Sequence, residues 1–394
     1  MMSSSIKIAV ISDLHCTTAK DSYTITHLHG ELPPIPAERH PIESIKKRIQ
    51  KENLTADYLI CLGDISDKAD LGGLQQGVRY LKEIQTSLQA KDLFIISGNH
   101  DVATEERDPV AYLKNMNIPS SDSDIRNSYW SEHFCVIEKD DILLLLLNTC
   151  YHIKTFNNLN DNPSFKDDDL LEKIEKKLIP YKNSKKLKVV LCHHHPIQLS
   201  DLDGKCTSND LIDGADKLLQ SIKEYGFNII LHGHKHIARI KYDDALPIFS
   251  CGSFASLENM AENKNTFHLM DILLEKNSCK GKISTWIYNY ILGWRKSKDP
   301  DIIFPSYTGF GCSCRNTKEI GDKIIEHFDE WYQNPNYYEF LPFEKIVAFF
   351  PDIEYLTPRE QKELSSYFEQ EYKLVFAPSL GVGAEELKKI KHNN

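Results

Sequence analysis

The sequence of 394 residues has no long apolar run, no excess of positive charge, no internal repeat and no low-complexity tract. Its longest apolar stretch, Ile142 to Leu147, falls far short of the roughly 20 residues that a membrane-spanning helix needs, so no helical membrane span is expected. Met1 to Ser5 carry no positive charge, and the apolar run that follows stops at Asp13, a start that does not read as a secretory leader. The formal net charge is −10. Chains that hold nucleic acid through their general field are basic, so long nucleic acid is disfavoured as a partner. The ten cysteines form no disulfide-like framework. Cys61, Cys150 and Cys192 lie in apolar runs and read as small buried hydrophobes in a reducing compartment. A lone C-x-C, Cys312 and Cys314, is no zinc signature by itself. These absences point to a cytoplasmic protein.

Hydrophobic residues make up 41% and aromatics 10% of the chain, enough for a sizeable core. The length exceeds what a single core usually supports, and one large domain with a smaller companion is expected. Short β-branched runs recur, and each ends abruptly in a polar cluster. Residues 8–11 lead into Ser12, Asp13, Leu14 and His15; 58–62 into Gly63 and Asp64; 93–96 into Ser97, Gly98, Asn99, His100 and Asp101. Residues 187–192 lead into His193, His194, His195 and Pro196, and 229–231 into His232, Gly233, His234, Lys235 and His236. Continuous apolar runs of this length suit strands buried on both faces.

Helical patterns cover 43–52, 71–89, 165–182 and 209–225, and the alternation implies a layered α/β fold. In such sheets ligands gather beyond the carboxyl ends of the strands, where all five clusters fall. Later strands are expected at 134–137, 142–148, 237–242, 247–251, 267–274 and 282–290, paired antiparallel. The predicted fold class is therefore α/β, two packed mixed β-sheets flanked by helices, over residues 1–300. Residues 301–394 form a smaller, mainly helical region, with helices at 317–333 and 358–372 and a frayed helix over the last thirteen residues. Thr357, Pro358 and Glu360 make a helix start with Thr as N-cap.

The clusters supply carboxylate, amide and imidazole donors, without the thiolates of structural zinc or the all-oxygen cage of calcium. Such a mixed set suits divalent Mn, Fe, Zn, Ni or Co, with Mn or Fe favoured. Seven strong donors at one edge exceed the needs of one open site and suit two ions sharing a carboxylate. Any one cluster alone is weak: a lone Asp after Gly is usually a turn residue, and a lone His at a strand end usually has no ligand role. The ordered set resembles the calcineurin-like metallophosphoesterase superfamily: Asp13-x-His15, Gly63-Asp64, Gly98-Asn99-His100-Asp101, His194-x-Pro196 and Gly233-His234-x-His236. It is most similar to the branch of cyclic nucleotide phosphodiesterases.

The resemblance covers roughly residues 6–290 and implies a four-layer sandwich with two metal ions. It assigns Asp13, His15 and His236 to one ion, Asn99, His194 and His234 to the other, and Asp64 to both. It makes His100 the general acid opposite a metal-bridging hydroxide, with Asp101 orienting it. Strand alternation turns His193 and His195 away, leaving His195 to line a pocket and His193 and His232 to packing. Asp67 stands where purple acid phosphatases carry a tyrosine, which argues against that subclass; Lys68 stands where protein serine/threonine phosphatases carry an arginine, and Gly233-His234-x-His236 is kept, so a phosphoprotein substrate is disfavoured.

The resemblance thus implies a phosphodiesterase acting on a small nucleotide-like phosphate ester. A nuclease of the same superfamily is the alternative, ahead of a phosphoprotein phosphatase or a silent scaffold. Two regions stay without a motif. The aromatic stretch of Trp331, Tyr332, Tyr337, Tyr338, Phe340, Phe343, Phe349 and Phe350 is read as the packing of an accessory unit, with docking of a protein partner as the sharper reading. Residues 16–42, with Pro33, Pro34, Pro36 and Pro41, form a long loop read as a cap over the site.

Overall fold

The computed structural model describes residues 5–19, 26–30, 36–102, 108, 110–153, 163, 165, 168–198, 210–257, 264–275, 279–299, 302, 304–314, 316–334 and 340–390. Pro33, Pro34, Tyr337, Tyr338 and part of the 16–42 loop lie outside them. The chain divides into two compact units.

The larger unit comprises Ile6–His268 with Ile287–Arg295. Strands β1 (Ser5–Ile11), β2 (Tyr58–Cys61) and β3 (Asp92–Ile95) pair in parallel in its first sheet. Two further strands, β10 (Thr266–Leu274) and β11 (Cys279–Asn289), begin or end in this unit, and β11 forms an antiparallel hairpin with β12 (Gly293–Arg295). The second sheet contains β4 (Phe134–Glu138), β5 (Ile142–Leu147), β6 (Leu187–Leu191), β7 (Ile229–His232), β8 (Arg239–Asp243) and β9 (Leu246–Ser250). Its order is β4-β5-β6-β7-β9-β8. Both sheets are thus mixed, as expected.

Antiparallel pairing holds only in part. β5 pairs antiparallel with β4 but parallel with β6, and β9 pairs parallel with β7. The segments joining β5 to β6 and β6 to β7 contain helices, which provide the long crossovers that parallel pairs require. Strands β2 and β5 carry no charged side chain, and β1 and β6 only Lys7 and Lys188, because both faces are covered: Val10, Ile60, Leu144 and Val190 are fully buried.

Helices α1 (Pro41–Glu52) and α2 (Leu71–Leu88) follow the predicted ranges closely. Asp70 caps α2, accepting from Gly72 N and Gly73 N and satisfying donors that a helix start leaves open. Short helices α3 (Ala111–Asn115) and α4 (Ser123–Ser131) precede β4. Helices α5 (Asp168–Leu178) and α6 (Ala215–Glu224) pack Ile174, Leu218 and Ile222 with Val190 and Ile230 of the second sheet. The helix expected from 209 starts only at Ala215. Gly214 takes φ 80°, and the residues before it leave the helix to pair with His195.

His268 on β10 is fully buried, its Nε2 2.9 Å from Thr266 Oγ1, and burial lowers its pKa to about 3. An unfolded histidine titrates near 6.5. Between those values the unfolded chain binds the extra proton, so stability falls as pH drops through that window. We expect His268→Gln to flatten the decline by roughly 1 kcal/mol per pH unit between pH 6.5 and 4.5 in denaturant titrations; an unchanged slope would contradict this.

The smaller unit comprises Leu269–Trp286 and Lys296–Asn394 with Met1–Ser5. In it β13 (Tyr307–Phe310) pairs antiparallel with β11, beside the ion pairs Lys280–Asp352 and Lys282–Glu354 at 3.3 and 3.1 Å. Helices α7 (Thr317–His327), α8 (Asp329–Gln333), α9 (Phe343–Phe349) and α10 (Pro358–Tyr367) enclose buried Ile324, Ile346, Leu356, Leu364 and Phe368. The Thr357 start is as read: Thr357 N donates to Glu360 Oε2 at 2.8 Å, and Glu360 N donates to Thr357 Oγ1.

The frayed terminal helix is corrected. Residues Glu386–Lys389 are a strand between Leu341–Pro342 and Leu374–Ala377. Leu387 is buried there, and Lys389 Nζ donates to the carbonyls of Trp331, Tyr332 and Asn334. Of the aromatic stretch, Trp331, Tyr332, Phe343 and Phe350 pack on the core, whereas Phe340 and Phe349 are exposed. Among the described residues no helix is long and apolar enough to cross a membrane.

Candidate metal centre

The polar clusters meet because the ladder continues past the strand ends. Leu62 N donates to Ile11 O, Asp13 N to Gly63 O, His15 N to Asp64 O and Ile96 N to Cys61 O. In the second sheet, Cys192 N donates to Leu231 O and Gly233 N to His193 O. His234 N, 3.3 Å from Asp13 Oδ2, ties the two sets together. Asp13, His15, Asp64, His234 and His236 all sit at positive φ, between 49° and 81°. Left-handed backbone at a residue with a Cβ costs on the order of 1 kcal/mol or more and concentrates at functional sites. Here it turns five side chains back onto one another.

Asp13 Oδ1 is buried, lacks a hydrogen-bond partner, and lies 3.5 Å from His236 Nε2 and 4.0 Å from His15 Nε2. The two imidazole Nε2 atoms are 2.9 Å apart. Asp64 Oδ1 accepts from His100 N at 2.8 Å. Its Oδ2 lies 3.9 Å from His15 Nε2 and 3.2 Å from His193 Nε2. On the far side, Asn99 Oδ1 lies 3.0 Å from His193 Nε2 and 3.1 Å from His234 Nδ1. The opposite nitrogens of those rings are engaged: His193 Nδ1 donates to Leu62 O at 2.7 Å and His234 Nε2 to Asp210 Oδ1 at 2.8 Å. In the neutral rings, lone pairs therefore face an amide oxygen and a carboxylate. Acceptors aimed at acceptors inside a buried site are the donor set of a cation.

The electrostatics agree. Burial, with Asp64 adding to it against His193, pushes Asp13 up to about 7, and burial with the Asp64 charge pushes Asp101 up to about 6. Burial lowers His236 to about 3 and His234 to about 4, and holds His15 well below its ordinary value, which keeps these rings in the neutral form a metal requires. Burial opposes protonation of His193 and His100 too, but Asp64, joined at His100 by Asp67, carries both to about 9. Crowded buried carboxyls thus draw protons onto neighbouring imidazoles, the positive charge that divalent ions would bring.

His193, expected to pack, faces Asp64, and His194, expected as a ligand, has its Nδ1 on Thr149 Oγ1 at 2.8 Å and its ring centroid 4.5 Å from that of His234. Strand β6 ends at Leu191, so the alternation expected to turn His193 and His195 away does not extend to these positions. Asp101 does not touch the His100 ring: its carboxylate accepts from Ser66 N, Ser66 Oγ and Gly98 N and shapes the turn. The ring contact belongs to Asp67, whose Oδ1 lies 3.0 Å from His100 Nδ1. Asp67 stands three residues after Asp64, but the spacing alone does not disclose this contact. Asp210 gave no signal, since it lay in a segment read as helix. His195 and His232 are buried against each other, ring centroids 4.5 Å apart.

The profile of calcineurin-like phosphoesterases matches residues 6–238. No curated protein matches the chain. Among solved structures, a purple acid phosphatase from yellow lupin seeds is 12% identical with a TM-score of 0.44, covering 73% of this chain and 52% of its own. The chain thus spans about half the length of that protein. The phosphopantetheinyl hydrolase of Mycobacterium tuberculosis is 14% identical, TM-score 0.34, covering 64% and 91%. Vacuolar Protein Sorting 29 of Cryptosporidium parvum is 13% identical, TM-score 0.32, covering 72% and 92%. With the family profile spanning more than half its length over the strands and loops that build this centre, the chain belongs to the calcineurin-like phosphoesterases, a family of metal-dependent hydrolases.

Proposed function

We propose that the chain hydrolyses a small, nucleotide-like phosphodiester at a centre of two divalent cations, manganese or iron, in the cytoplasm. One observation carries this reading: Asp64 Oδ2 stands between His15 Nε2 and His193 Nε2, so a single carboxylate serves two groups of donors. Asp13, His15 and His236 would hold one cation, and Asn99, His193 and His234 the other. His194, its Nδ1 held by Thr149 Oγ1 and its ring beside that of His234, would offer Nε2 to the same cation. Bound there, such ions neutralise phosphoryl oxygens and acidify water.

The chain's own proton chemistry falls to His100. Its Nδ1 is engaged by Asp67, leaving Nε2 to give a proton to the departing oxygen. A small substrate is supported by the net charge of −10, which repels a polyanion. The buried free thiols of Cys61, Cys150 and Cys192 support a reducing compartment.

The test is a panel of phosphomonoesters, cyclic and linear nucleotide diesters and DNA, assayed with Mn, Fe, Zn, Ni and Mg, with Asp64→Asn as the blank. Turnover of small diesters with Mn or Fe, lost in the blank, is expected. Preference for DNA or for monoesters would sink the substrate reading, and hydrolysis that survives in Asp64→Asn would sink the site.

A further inference from the structure

The geometry points to Asp210 as a positioning residue that decides which nitrogen of His234 is free to take a cation. This rests on the two-cation reading above. Asp210 Oδ1 lies 2.8 Å from His234 Nε2. An ionised carboxylate only accepts, so Nε2 carries the hydrogen and the lone pair of the neutral ring sits on Nδ1.

That assignment matters because Nδ1 lies 3.1 Å from Asn99 Oδ1. A ring protonated on Nδ1 instead would donate to that amide oxygen. The two would then satisfy each other, and both proposed donors would be consumed. Asp210 forbids this internal bond and leaves the Nδ1 lone pair of His234 open to a positive partner.

Its own position is fixed from two directions. Asp210 O accepts from His195 N at 3.1 Å and Ile212 N donates to His195 O at 2.9 Å, a short bridge to the segment that carries His193. Lys235 Nζ, 3.2 Å from the same Oδ1, restrains the carboxylate from the segment that carries His234. Residues 210–212 thereby couple two loops that supply donors to the same side of Asp64.

The test uses the full chain stripped of metal, with parent, Asp210→Asn and Asp210→Ala compared. Manganese binding is followed by calorimetry and by the paramagnetic resonance signature of a coupled ion pair. The parent is expected to bind two ions. Asp210→Asn keeps Asp210's shape but can donate as well as accept, so it no longer dictates the tautomer. It is expected to hold one ion at parent affinity and the other about 10- to 100-fold more weakly, with the pair signal returning at excess metal. Nitrogen-15 correlation spectra of the metal-free protein should place the His234 hydrogen on Nε2 in the parent and shift it toward Nδ1 in the variant.

Two ions at parent affinity in Asp210→Asn, or an unmoved hydrogen, overturns the inference. Equal weakening of both ions, or a general loss of folded structure in both variants, assigns Asp210 to the scaffold and overturns it too. A parent that binds fewer than two ions overturns the two-cation reading instead, and the metal-free tautomer measurement still decides the role of Asp210.

Discussion

Replacing His100 with alanine is expected to leave the metal content of the protein intact and to slow hydrolysis by about 10²- to 10⁴-fold. The ring contributes none of the donors assigned to the cations; its backbone N–H, which holds Asp64 Oδ1, survives the substitution. What disappears is a proton source at the leaving oxygen. A diester of p-nitrophenol, whose anion leaves readily, should lose little, whereas a nucleoside leaving as an alkoxide should lose most. Asp67→Asn should show the same pattern more weakly, because it loosens the ring without removing it. A loss equal across leaving groups, or full activity with both ions bound, would contradict the role.

Gly98→Ala should be comparably damaging for a purely steric reason. Gly98 has φ −106° and ψ 173°, a backbone conformation that alanine adopts freely. A Cβ there, however, would lie 2.1 Å from Asp64 Oδ1 and 2.3 Å from Asp64 N. The carboxylate shared between the two donor groups has to move, and a displacement near 1 Å at a reacting centre can cost about 10²-fold in rate. Overpacking adds about 1–3 kcal/mol of destabilisation. Metal stoichiometry, thermal melting and diester turnover measured together would show weakened cations, a lower melting temperature and slower turnover. Two tightly bound ions with turnover near the parent's would refute the steric account.

The parts of the fold that the sequence announced are those dictated by local chemistry. Runs such as 59–62 and 189–192 read as doubly buried strands because they carry no charged or strongly polar side chain, and their abrupt polar ends mark the edge where the centre forms. Thr357 announced a helix start through its own hydrogen bond. Pairing direction was less legible, because an apolar run such as Ile142–Leu147 looks the same beside a parallel or an antiparallel neighbour. The terminal Lys-rich segment has the pattern of a helix because its lysines conceal a single buried Leu387 and a partner strand more than forty residues upstream. Within the centre, residue types and order were readable, but rotation was not. Choosing among His193, His194 and His195 needed the backbone angles beyond β6, and Asp67 and Asp210 act through contacts that no spacing rule encodes.

The left-handed backbone at Asp13, His15, Asp64, His234 and His236 limits how this chain can be toughened. Glycine would relax each of those positions, and consensus-style or heat-resistance screening would be drawn to them. Every such gain would delete a donor atom. Thermal robustness therefore has to be sought elsewhere in the molecule, for this corner trades comfort of the main chain against chemistry one for one.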